Sequence, residues 1–351
     1  MVFPSDQTLS QPGQHDNSGD SRALFLQKYG GEVMTMFHDL HIAMKLTRVR
    51  TINNGKSASF PLIGKNTAKY HTPGKLIETN QIGHAERTVT IDDIAISPVF
   101  IPDIQEAILH YDVREQYSTE CAESLAGLVD RNIFRMMAKA GYITGNSEAV
   151  AAGLKTLPDE PYTQNVMLSS AGDEDRGAAL VDALYKARTQ FRKNSIRKNA
   201  NVVFGPEQIE ALVNISQDDA TAITWLNKDV AGSVDPSMQA TGPVARIAGI
   251  NVWESNNLPG ADESAGLVDD PEPLSEVEFG SGNASKYRGD YSNVVGLVFV
   301  EDAIATTKLL DLNVTHVPEP LRLGHNILGK LAVGHDILRP GMCVVIEKYH
   351  V

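Results

Sequence analysis

The sequence predicts an α+β fold in which extended segments depend on surfaces outside the chain's own core. Three patterns indicate this fold: a basic, strand-like segment over residues 45–87, a long helical repeat over residues 103–140, and strand patterns after residue 293. With 351 residues, of which 42% are hydrophobic, the chain is long enough for one large domain or two modest ones.

The charge balance and the cysteine count exclude several classes of protein. The 44 acidic residues against 31 basic ones give a net charge of -13, which argues against a protein that grips the nucleic-acid backbone. Cys121 and Cys343 are too few for a disulfide framework or a zinc knuckle. No basic leader precedes an apolar core, and no apolar run reaches the roughly 18 residues of a membrane span. We therefore expect a protein of a reducing cytosol without a membrane segment.

The first 45 residues are predicted to comprise a mobile arm, residues 1–20, and an ordered helical segment that begins near Ser21. Residues 1–20 are polar and rich in Ser, Gln, Asp and Gly, which is typical of a mobile segment. From residue 21 apolar positions recur at helical spacing, but Gly30 and Gly31 interrupt them, and two glycines cost a helix about 2 kcal/mol. This pattern predicts two short helices with a hinge.

A long β-hairpin is predicted between Lys45 and Arg87. The stretches "ASFPLIGKNTAKYHTPGKL" and "ERTVTIDDI" alternate polar and apolar residues and contain Gly and Pro turns. Eight basic and two acidic residues give this segment a net charge of +6. Because large apolar residues are few, we expect the hairpin to lack a core of its own and to need the surface of another protein. Deletion of residues 60–75 is therefore expected to leave the core of the subunit intact.

The stretch "NNGKSASFP" resembles the end of a phosphate-binding loop. Such a loop requires Gly-x-x-x-x-Gly-Lys-Ser between a strand and a helix, so that a glycine-rich backbone can surround the phosphates. The first glycine of that motif would fall at Arg50, and Pro61 follows where the first turns of a helix should be. We therefore disfavour nucleotide binding here and interpret Lys56 as a lysine exposed on a hairpin.

The strongest periodic pattern of the chain lies in residues 103–140. Asp103 stands at the N-cap position and Gly141 at the C-cap position. At about 1.5 Å per residue a continuous helix would be roughly 57 Å long, so the helix is either interrupted near Gly127 or forms a long spine. The apolar positions that step by three and four are Ile104, Ile108, Tyr111, Ala122, Leu125, Val129, Ile133 and Met136.

The rest of the chain predicts a smaller α/β region and a closing β segment. Residues 173–195 begin acidic and end basic, which is typical of a helix whose dipole these charges complement. "NVVFG" predicts a strand, "PEQIEALVNI" a helix and "RIAGINVWESNNLP" a strand with a turn. Between Arg246 and Lys286 eight acidic residues and no basic ones predict a flexible acidic loop. "NVVGLVFVEDAIATTKL", "LNVTHVPE" and "NILGKLAVGHDILRPGMCVVIEKYHV" then predict strands.

The histidines and cysteines of the sequence do not match the pattern of a known active site. His38 and His41 lie three apart on a predicted helix, but the glutamate and third ligand of a metalloprotease motif are absent, so we interpret them as histidines at the solvent edge. His325 and His335 fit one strand better than a metal site. Cys121 is expected to pack as a small hydrophobic residue. The sequence predicts a protein that is not an enzyme and that uses no metal or cofactor.

Four long, non-repetitive stretches carry a resemblance to a known family. These are "ALFLQKYGGEVMTMF", "NNGKSASFPLIGKNTAKYHTPG", "TVTIDDIAISPVFIPDIQEAILHYDVREQYSTECAESLA" and "LAVGHDILRPGMCVVIE". They resemble the major capsid proteins of short-tailed, T7-like bacteriophages, in register from about Ala23 to Val351. The resemblance is strong up to residue 140 and in the last 20 residues, and loose between 145 and 290.

The resemblance implies the shell-forming fold of tailed phages and herpesviruses. Carried over by position, residues 1–46 would be an N-terminal arm and residues 47–92 an extended loop, the β-hairpin. A peripheral domain with the long spine helix would comprise residues 93–145 and 313–351. An axial domain would comprise residues 146–312.

The resemblance also implies a function for the basic hairpin. In this family the extended loop lies over an adjacent subunit. We therefore expect the lysines of the loop to contact that subunit; they are Lys56, Lys65, Lys69 and Lys75. It implies hexamers and pentamers of an icosahedral shell that encloses double-stranded DNA with weak contact. A scaffolding protein and a portal would be further partners, with assembly in the cytoplasm of the host and the product in the virion capsid.

Two alternatives remain open on the sequence. An encapsulin-type nanocompartment shares the shell-forming fold but encloses an enzyme instead of a genome. A P-loop nucleotidase is the alternative from the enzyme class, and Arg50 and Pro61 argue against it.

Overall fold

The protein has a mixed helix and sheet fold, which confirms the predicted α+β class. The computed structural model describes residues 41–66, 68–77, 79–102, 114–155, 160–213, 245–264, 286–319 and 321–350. The predictions for the helices of the arm, for the N-cap at Asp103 and for most of the acidic loop lie outside the described residues. No helix of the described part is long and apolar enough to cross a membrane.

The described helices and strands follow the predicted order. The helices are α1 (Arg114–Gly141), α2 (Asn146–Ala151), α3 (Gly177–Lys193) and α4 (Pro206–Val213). The strands are β1 (Arg48–Thr51), β2 (Ser57–Ile63), β3 (His84–Thr90), β4 (Ala95–Pro102), β5 (Val166–Met167), β6 (Ala200–Phe204), β7 (Ala245–Ile247), β8 (Ile250–Glu254), β9 (Val294–Val300), β10 (Ile304–Glu319), β11 (Gly324–Ile337) and β12 (Cys343–Glu347).

The strands form three sheets. One sheet has the order β1-β10-β11-β4, the second has the order β5-β12-β9-β6-β8-β7, and β2 with β3 forms the third. Strand β1 pairs in parallel with the start of β10, from Arg48 opposite Ala305 to Thr51 opposite Lys308. Residues 48–51 therefore belong to the four-stranded sheet and not to the hairpin in which the sequence placed them.

Helix α1 is continuous from Arg114 to Gly141, so of the two alternatives that the sequence left open, the uninterrupted helix is observed at Gly127. Gly141 is the last residue of the helix, and its backbone has no positive φ. A side chain there would collide with β12, because a Cβ at Gly141 would lie 2.3 Å from Cγ2 of Val345. This glycine is therefore needed for a close approach of helix and strand and not for the left-handed cap that the sequence suggested.

The six-stranded sheet carries an extensive hydrophobic core. Strand β9 is buried over its whole length, Val294–Val300, as expected for a central strand that is covered on both faces. Helix α3 packs on this sheet through Leu180, Leu184 and Phe191. Within the described residues, the predicted helix of residues 173–195, the strand "NVVFG", the helix that begins at Pro206 and the strand with a turn in residues 246–259 are confirmed.

The chain divides into two compact units. In the described residues the smaller unit comprises residues 95–126 and 311–331, and the larger one comprises 41–94, 127–310 and 332–350. Within the smaller unit β4 pairs antiparallel with β11, from Ala95 opposite Leu331 to Pro102 opposite Gly324. Cys121 is buried there, which confirms its predicted role as a packing residue.

Candidate assembly surface: the β2–β3 hairpin and its loop

The predicted β-hairpin is present, with β2 and β3 antiparallel from Ser57 opposite Thr90 to Ile63 opposite His84. Alternate residues of β2 point inward, because side chains of a strand alternate between its faces. Phe60 and Leu62 are buried and pack with Ala305 and Leu338, which come from the body of the larger unit. The expectation that the hairpin contributes nothing to the core is therefore wrong, and a deletion of residues 60–75 would remove core side chains.

A buried ion pair fixes the base of the hairpin on the side of β3. Nη2 of Arg87 lies 3.5 Å from Oε2 of Glu160, and the two side chains are only 4% and 2% exposed. Burial lowers the pKa of Arg87, while the negative charge of Glu160 acts in the opposite direction. The sequence counted Arg87 among the charges of an exposed basic surface, whereas the structure places it inside the protein.

The end of β2 is held by further polar contacts. Nη2 of Arg339 donates to the backbone oxygen of Ile63 at 3.2 Å. The guanidinium groups of Arg48 and Arg50 each lie 5.9 Å from the centre of the Phe60 ring, within the range of cation–π attraction. The hairpin base is therefore attached to its own subunit by both apolar and charged groups.

The chain that follows the hairpin is fixed as well. The backbone nitrogen of Asp92 donates to the backbone oxygen of Val333 at 3.1 Å. Its carboxylate accepts hydrogen bonds from Nζ of Lys286, at 2.9 Å, and from the hydroxyl of Tyr287. Burial, with a contribution from Asp92, raises the pKa of Tyr287 well above its usual value, so that this hydroxyl stays a donor.

The loop between the two strands differs sharply from the base. The backbone nitrogen of Gly64 donates to the backbone oxygen of Gly83 at 2.8 Å, which closes the loop at its neck. Every residue between 65 and 81 whose side chain the structure describes is exposed. Tyr70 is fully exposed, and Leu76 and Ile77 are 90% and 74% exposed. We call residues 65–81 the loop tip.

The four predicted contact lysines are all exposed, but they do not form one cluster. Lys56 lies in the turn before β2, and its backbone oxygen accepts from the nitrogen of Ile91 at 2.8 Å. Lys65, Lys69 and Lys75 lie in the loop tip. Nζ of Lys65 donates to the backbone oxygen of Asn194 at 3.0 Å, so this lysine already has a partner within its own subunit. Contact of these residues with a neighbouring subunit stays a prediction.

The apolar side chains of the loop tip were not among the predicted contact residues. The sequence offered a signal in "KYHTPGKLI", where large apolar residues stand beside Pro and Gly instead of alternating with polar ones. Leu76 and Ile77 are consecutive and both largely exposed, and exposed apolar patches are typical of surfaces that another molecule covers. Tyr70, Leu76 and Ile77 therefore join the lysines as candidate contact residues.

A buried carboxylate of α1, that of Asp130, binds the backbone of residues 42 and 43. Asp130 accepts hydrogen bonds from the backbone nitrogens of Ile42, at 2.9 Å, and Ala43, at 3.0 Å. Burial raises the pKa of the Asp130 carboxyl to about 7, although both hydrogen bonds and the charge of Lys45 act to lower it. Asp130 thus fixes residues 42–43 against the helix at the cost of a buried ionisable group.

The elevated pKa predicts a pH-dependent contribution of Asp130 to stability. Its folded pKa lies above the unfolded one, so its stabilising contribution is complete below about pH 4 and is lost as the pH rises through about 7. Asp130→Asn cannot ionise. We therefore expect the variant to be less stable than the wild type near pH 4, and the gap to shrink by roughly 2–4 kcal/mol by pH 8. Urea unfolding of both proteins across this range measures the gap, and a gap that does not change with pH would contradict the prediction.

His41 does not lie at the solvent edge, as the sequence suggested, but is buried. His41 directly precedes Ile42 and Ala43, whose backbone nitrogens are bound by Asp130 of α1. His335 is also buried, in β11, and its Nδ1 lies 3.0 Å from Oγ1 of Thr306. Burial lowers its pKa to about 3, so His335 is neutral at physiological pH. In the part of the chain that the structure describes, no group of three or more His, Cys, Asp or Glu could hold a metal ion.

Comparison with proteins of known sequence gives a consistent picture. The family model described as "Gp10A-like: Major capsid protein" matches residues 59–347, which is most of the chain. The major capsid protein of Escherichia phage T7 is 30% identical over 328 residues, and the alignment covers 92% of this chain and 91% of the relative.

Comparison with solved structures agrees with the sequence relatives. A chain of the capsid of cyanophage P-SCSP1u is 29% identical, with a TM-score of 0.66 and coverage of 98% of this chain and 100% of that one. A virus-like particle from Pyrococcus furiosus has a TM-score of 0.53 over 92% of this chain and 99% of that one, but only 11% identity, so it shows the fold alone. The extent of the family match, the identity to the phage T7 protein and the shared fold lead to one conclusion: this chain belongs to the Gp10A-like family of major capsid proteins.

Proposed function

We propose that this chain is the main shell subunit of a short-tailed phage and that its copies assemble into hexamers and pentamers of an icosahedral capsid around double-stranded DNA. The family is a class of structural protein and not of enzyme. Besides family membership, the proposal is supported by the difference in burial between the base of the hairpin and its loop tip. Its base is packed into its own subunit, while the loop tip presents Tyr70, Leu76 and Ile77 to solvent.

The loop tip fits contact with another copy of the chain. Exposed aromatic and aliphatic side chains favour association when a partner removes their apolar surface from water. In a closed assembly of identical subunits, the loop tip of each subunit contacts the same surface of its neighbour. Residues 47–92 would then act as the extended loop, with Lys56, Lys69 and Lys75 as polar contacts around the apolar ones.

The further partners follow from the net charge and from the family. With a net charge of -13 the shell would hold its DNA with weak contact, which suits a container that is filled and later emptied. A scaffolding protein and a portal complete the proposal, with assembly in the cytoplasm of the host. The arm, peripheral and axial divisions at residues 46, 92, 145 and 312 belong to the same proposal.

Electron microscopy of the purified chain tests the proposal directly. Closed shells of uniform diameter in negative stain are expected, and DNA is expected inside shells taken from infected cells. A protein that stays dispersed at all concentrations, with the scaffolding protein present as well as without it, would refute it. Shells that enclose an enzyme and no nucleic acid would favour the nanocompartment alternative, whose only structural support is the shared fold.

The basic hairpin predicts that assembly depends on salt. Its exposed lysines, Lys56, Lys65, Lys69 and Lys75, belong to a chain with a net charge of -13, and exposed charges are screened beyond about 8–10 Å at physiological ionic strength. We expect the rate of shell formation, followed by light scattering, to fall severalfold between about 50 mM and about 500 mM NaCl. In the triple variant Lys56→Gln, Lys69→Gln, Lys75→Gln this dependence should be weaker. A rate that does not change with salt would remove the electrostatic contribution.

A further inference from the structure

The end of α3 and the turn that follows it form a strongly basic surface. No acidic residue lies between Asp182 and Glu207, although the chain as a whole has a net charge of -13. Every exposed residue from 186 to 199 is basic or polar; these are Lys186, Arg188, Thr189, Arg192, Lys193, Ser195, Arg197, Lys198 and Asn199. We give the name basic patch to four of them: Arg188, Arg192, Lys193 and Arg197.

The charges of the basic patch are not balanced by nearby carboxylates. The two other cations of this stretch are paired: Nζ of Lys186 lies 2.7 Å from Oδ2 of Asp182, and Nζ of Lys198 binds the carboxylate of Asp302. Among the residues that the structure describes, none forms an ion pair with a member of the basic patch. The basic patch therefore presents four positive charges to solvent.

The helix dipole explains only part of the basic patch. Cations are favourable in the last turn of a helix, and the effect does not reach beyond that turn. Arg192 and Lys193 lie in the last turn of α3, which ends at residue 193. Arg188 lies before this turn, and Arg197 lies after the end of the helix. A bound polyanion would account for all four charges.

A fifth cation comes from the loop tip. At the end of α3 the chain turns back, because Ser195 has a positive φ of 62° and its nitrogen donates to the backbone oxygen of Arg192 at 3.0 Å. Nζ of Lys65 donates to the backbone oxygen of Asn194, in the same turn, at 3.0 Å. A carbonyl oxygen holds this ammonium group in place without neutralising its charge. Two distant parts of the sequence thus contribute cations to one surface.

We propose that the basic patch and Lys65 bind the phosphate backbone of the double-stranded DNA that the shell encloses. Duplex DNA carries one negative charge per roughly 1.7 Å of its axis, so several exposed cations can neutralise several phosphates at once. Phosphate oxygens also accept hydrogen bonds from Thr, Ser and Asn, which are the other exposed residue types here. A protein partner fits less well, because large side chains with apolar surface anchor protein interfaces and no exposed residue from 186 to 199 is apolar.

The inference rests on the proposed function and specifies how the shell would contact its DNA. The exposed side of α3 would face the interior of the shell. Because phosphates carry no sequence information, the contact would not depend on the sequence of the DNA. With a few cations on a subunit whose net charge is -13, each contact would be weak, in agreement with a container that is later emptied.

Binding of DNA to the purified chain tests the inference. A fluorescently labelled duplex of about 30 base pairs is titrated with protein, below the concentration at which shells form, and its anisotropy is measured from about 50 to 200 mM NaCl. For the wild type, the logarithm of the binding constant should fall against the logarithm of the salt concentration with a slope of about -3 to -4. In the variant Arg192→Gln, Lys193→Gln, Arg197→Gln, binding at the lowest salt should weaken at least about tenfold, and the slope should become shallower by about 2 to 3.

Two controls separate the basic patch from net charge and from folding. The variant Lys45→Gln, Lys155→Gln, Arg322→Gln removes three exposed positive charges elsewhere and should bind DNA within about twofold of the wild type. The variant Arg192→Lys, Arg197→Lys keeps the charges and should keep the salt dependence, because lysine also binds phosphate as a point charge. All variants should unfold in urea like the wild type, since the replaced side chains are exposed.

The outcomes that overturn this inference differ from those that overturn the proposed function. The inference fails if the wild type does not bind the duplex at the lowest salt, or if the control variant without Lys45, Lys155 and Arg322 binds as weakly as the variant of the basic patch. If the variant of the basic patch binds DNA like the wild type but forms shells more slowly, the surface contacts an acidic part of another copy and the inference is wrong. If the wild type forms no shells, the proposed function itself fails, whatever the purified chain binds.

Discussion

Leu125→Asp is expected to prevent the subunit from folding. Leu125 lies in α1 with only 1% of its surface exposed. The helix packs closely on β11 at this point, because a Cβ at Gly329 would lie 2.9 Å from Sγ of Cys121 and 3.1 Å from Cδ1 of Leu125. A carboxylate there would have no room for water. Its burial costs several kcal/mol, comparable with the roughly 5–15 kcal/mol that stabilise a whole domain.

The measurement is the yield of soluble protein together with the cooperativity of its urea unfolding. Leu125→Asp should accumulate as aggregate and show no cooperative transition. Ser124→Asp is the matched control, because Ser124 precedes Leu125 on the same helix and is exposed. It introduces the same charge and should unfold like the wild type. Soluble Leu125→Asp with a normal transition would show that this part of α1 does not carry the core.

The long helix could be predicted from the sequence because its evidence is local. Apolar residues at positions three and four apart define a buried face within the segment itself, and Leu125, Val129, Ile133 and Met136 are all buried. The role of Gly141 could not be predicted in the same way. A glycine is required at position 141 because Val345 leaves no space for a Cβ there. Val345 lies far away in the sequence, and only the fold brings the two residues together.

The hairpin shows the same limit of prediction from local sequence patterns. Its strands and turns follow from alternation and from Gly and Pro, and the observed pairing of β2 with β3 confirms them. The buried face of β2 could not be predicted from this local pattern, because the residues that pack on Phe60 and Leu62 are Ala305 and Leu338, which lie far away in the sequence. A run of moderate hydrophobicity looks exposed when the surface that covers it lies in a distant part of the chain.

The charges of the candidate site were only partly predictable. Composition identified a basic segment, and the exposed positions of Lys56, Lys69 and Lys75 agree with it. Arg87 belongs to the same count, yet it is buried beside Glu160. Net charge describes a segment as a whole and does not distinguish a solvated lysine from an arginine in an internal ion pair.

Deletion of the loop tip is expected to abolish shell formation while the subunit stays folded. The deletion must stop at the neck, where Gly64 bonds to Gly83, because Phe60 and Leu62 lie in the core beyond it. Replacing residues 66–81 by Asn-Gly keeps β2, β3 and the contact of Lys65 with Asn194, and supplies a two-residue hairpin turn. The described residues removed are exposed, so the variant should retain the helix content and urea unfolding of the wild type.

The loss of assembly should be large because each subunit contributes the same contact. A shell closes only when many such contacts form together, so removal of one from every subunit reduces the yield by far more than its single effect, about a hundredfold or more. Sedimentation and negative stain measure the yield of closed shells. The double variant Leu76→Ser, Ile77→Ser should produce part of this loss, since it keeps the loop but removes two of its large apolar groups.

Phe60→Asp completes the comparison at the base of the same hairpin. It places a charge in the cluster formed with Ala305 and Leu338 and should destabilise the subunit by several kcal/mol, which the tip deletion should not. The interpretation therefore requires that the base variant loses its fold and the tip variant loses only its assembly. A tip deletion that still closes shells at the wild-type yield would show that other surfaces hold the subunits together. A tip deletion that unfolds would mean that residues 66–81 belong to the core of the subunit.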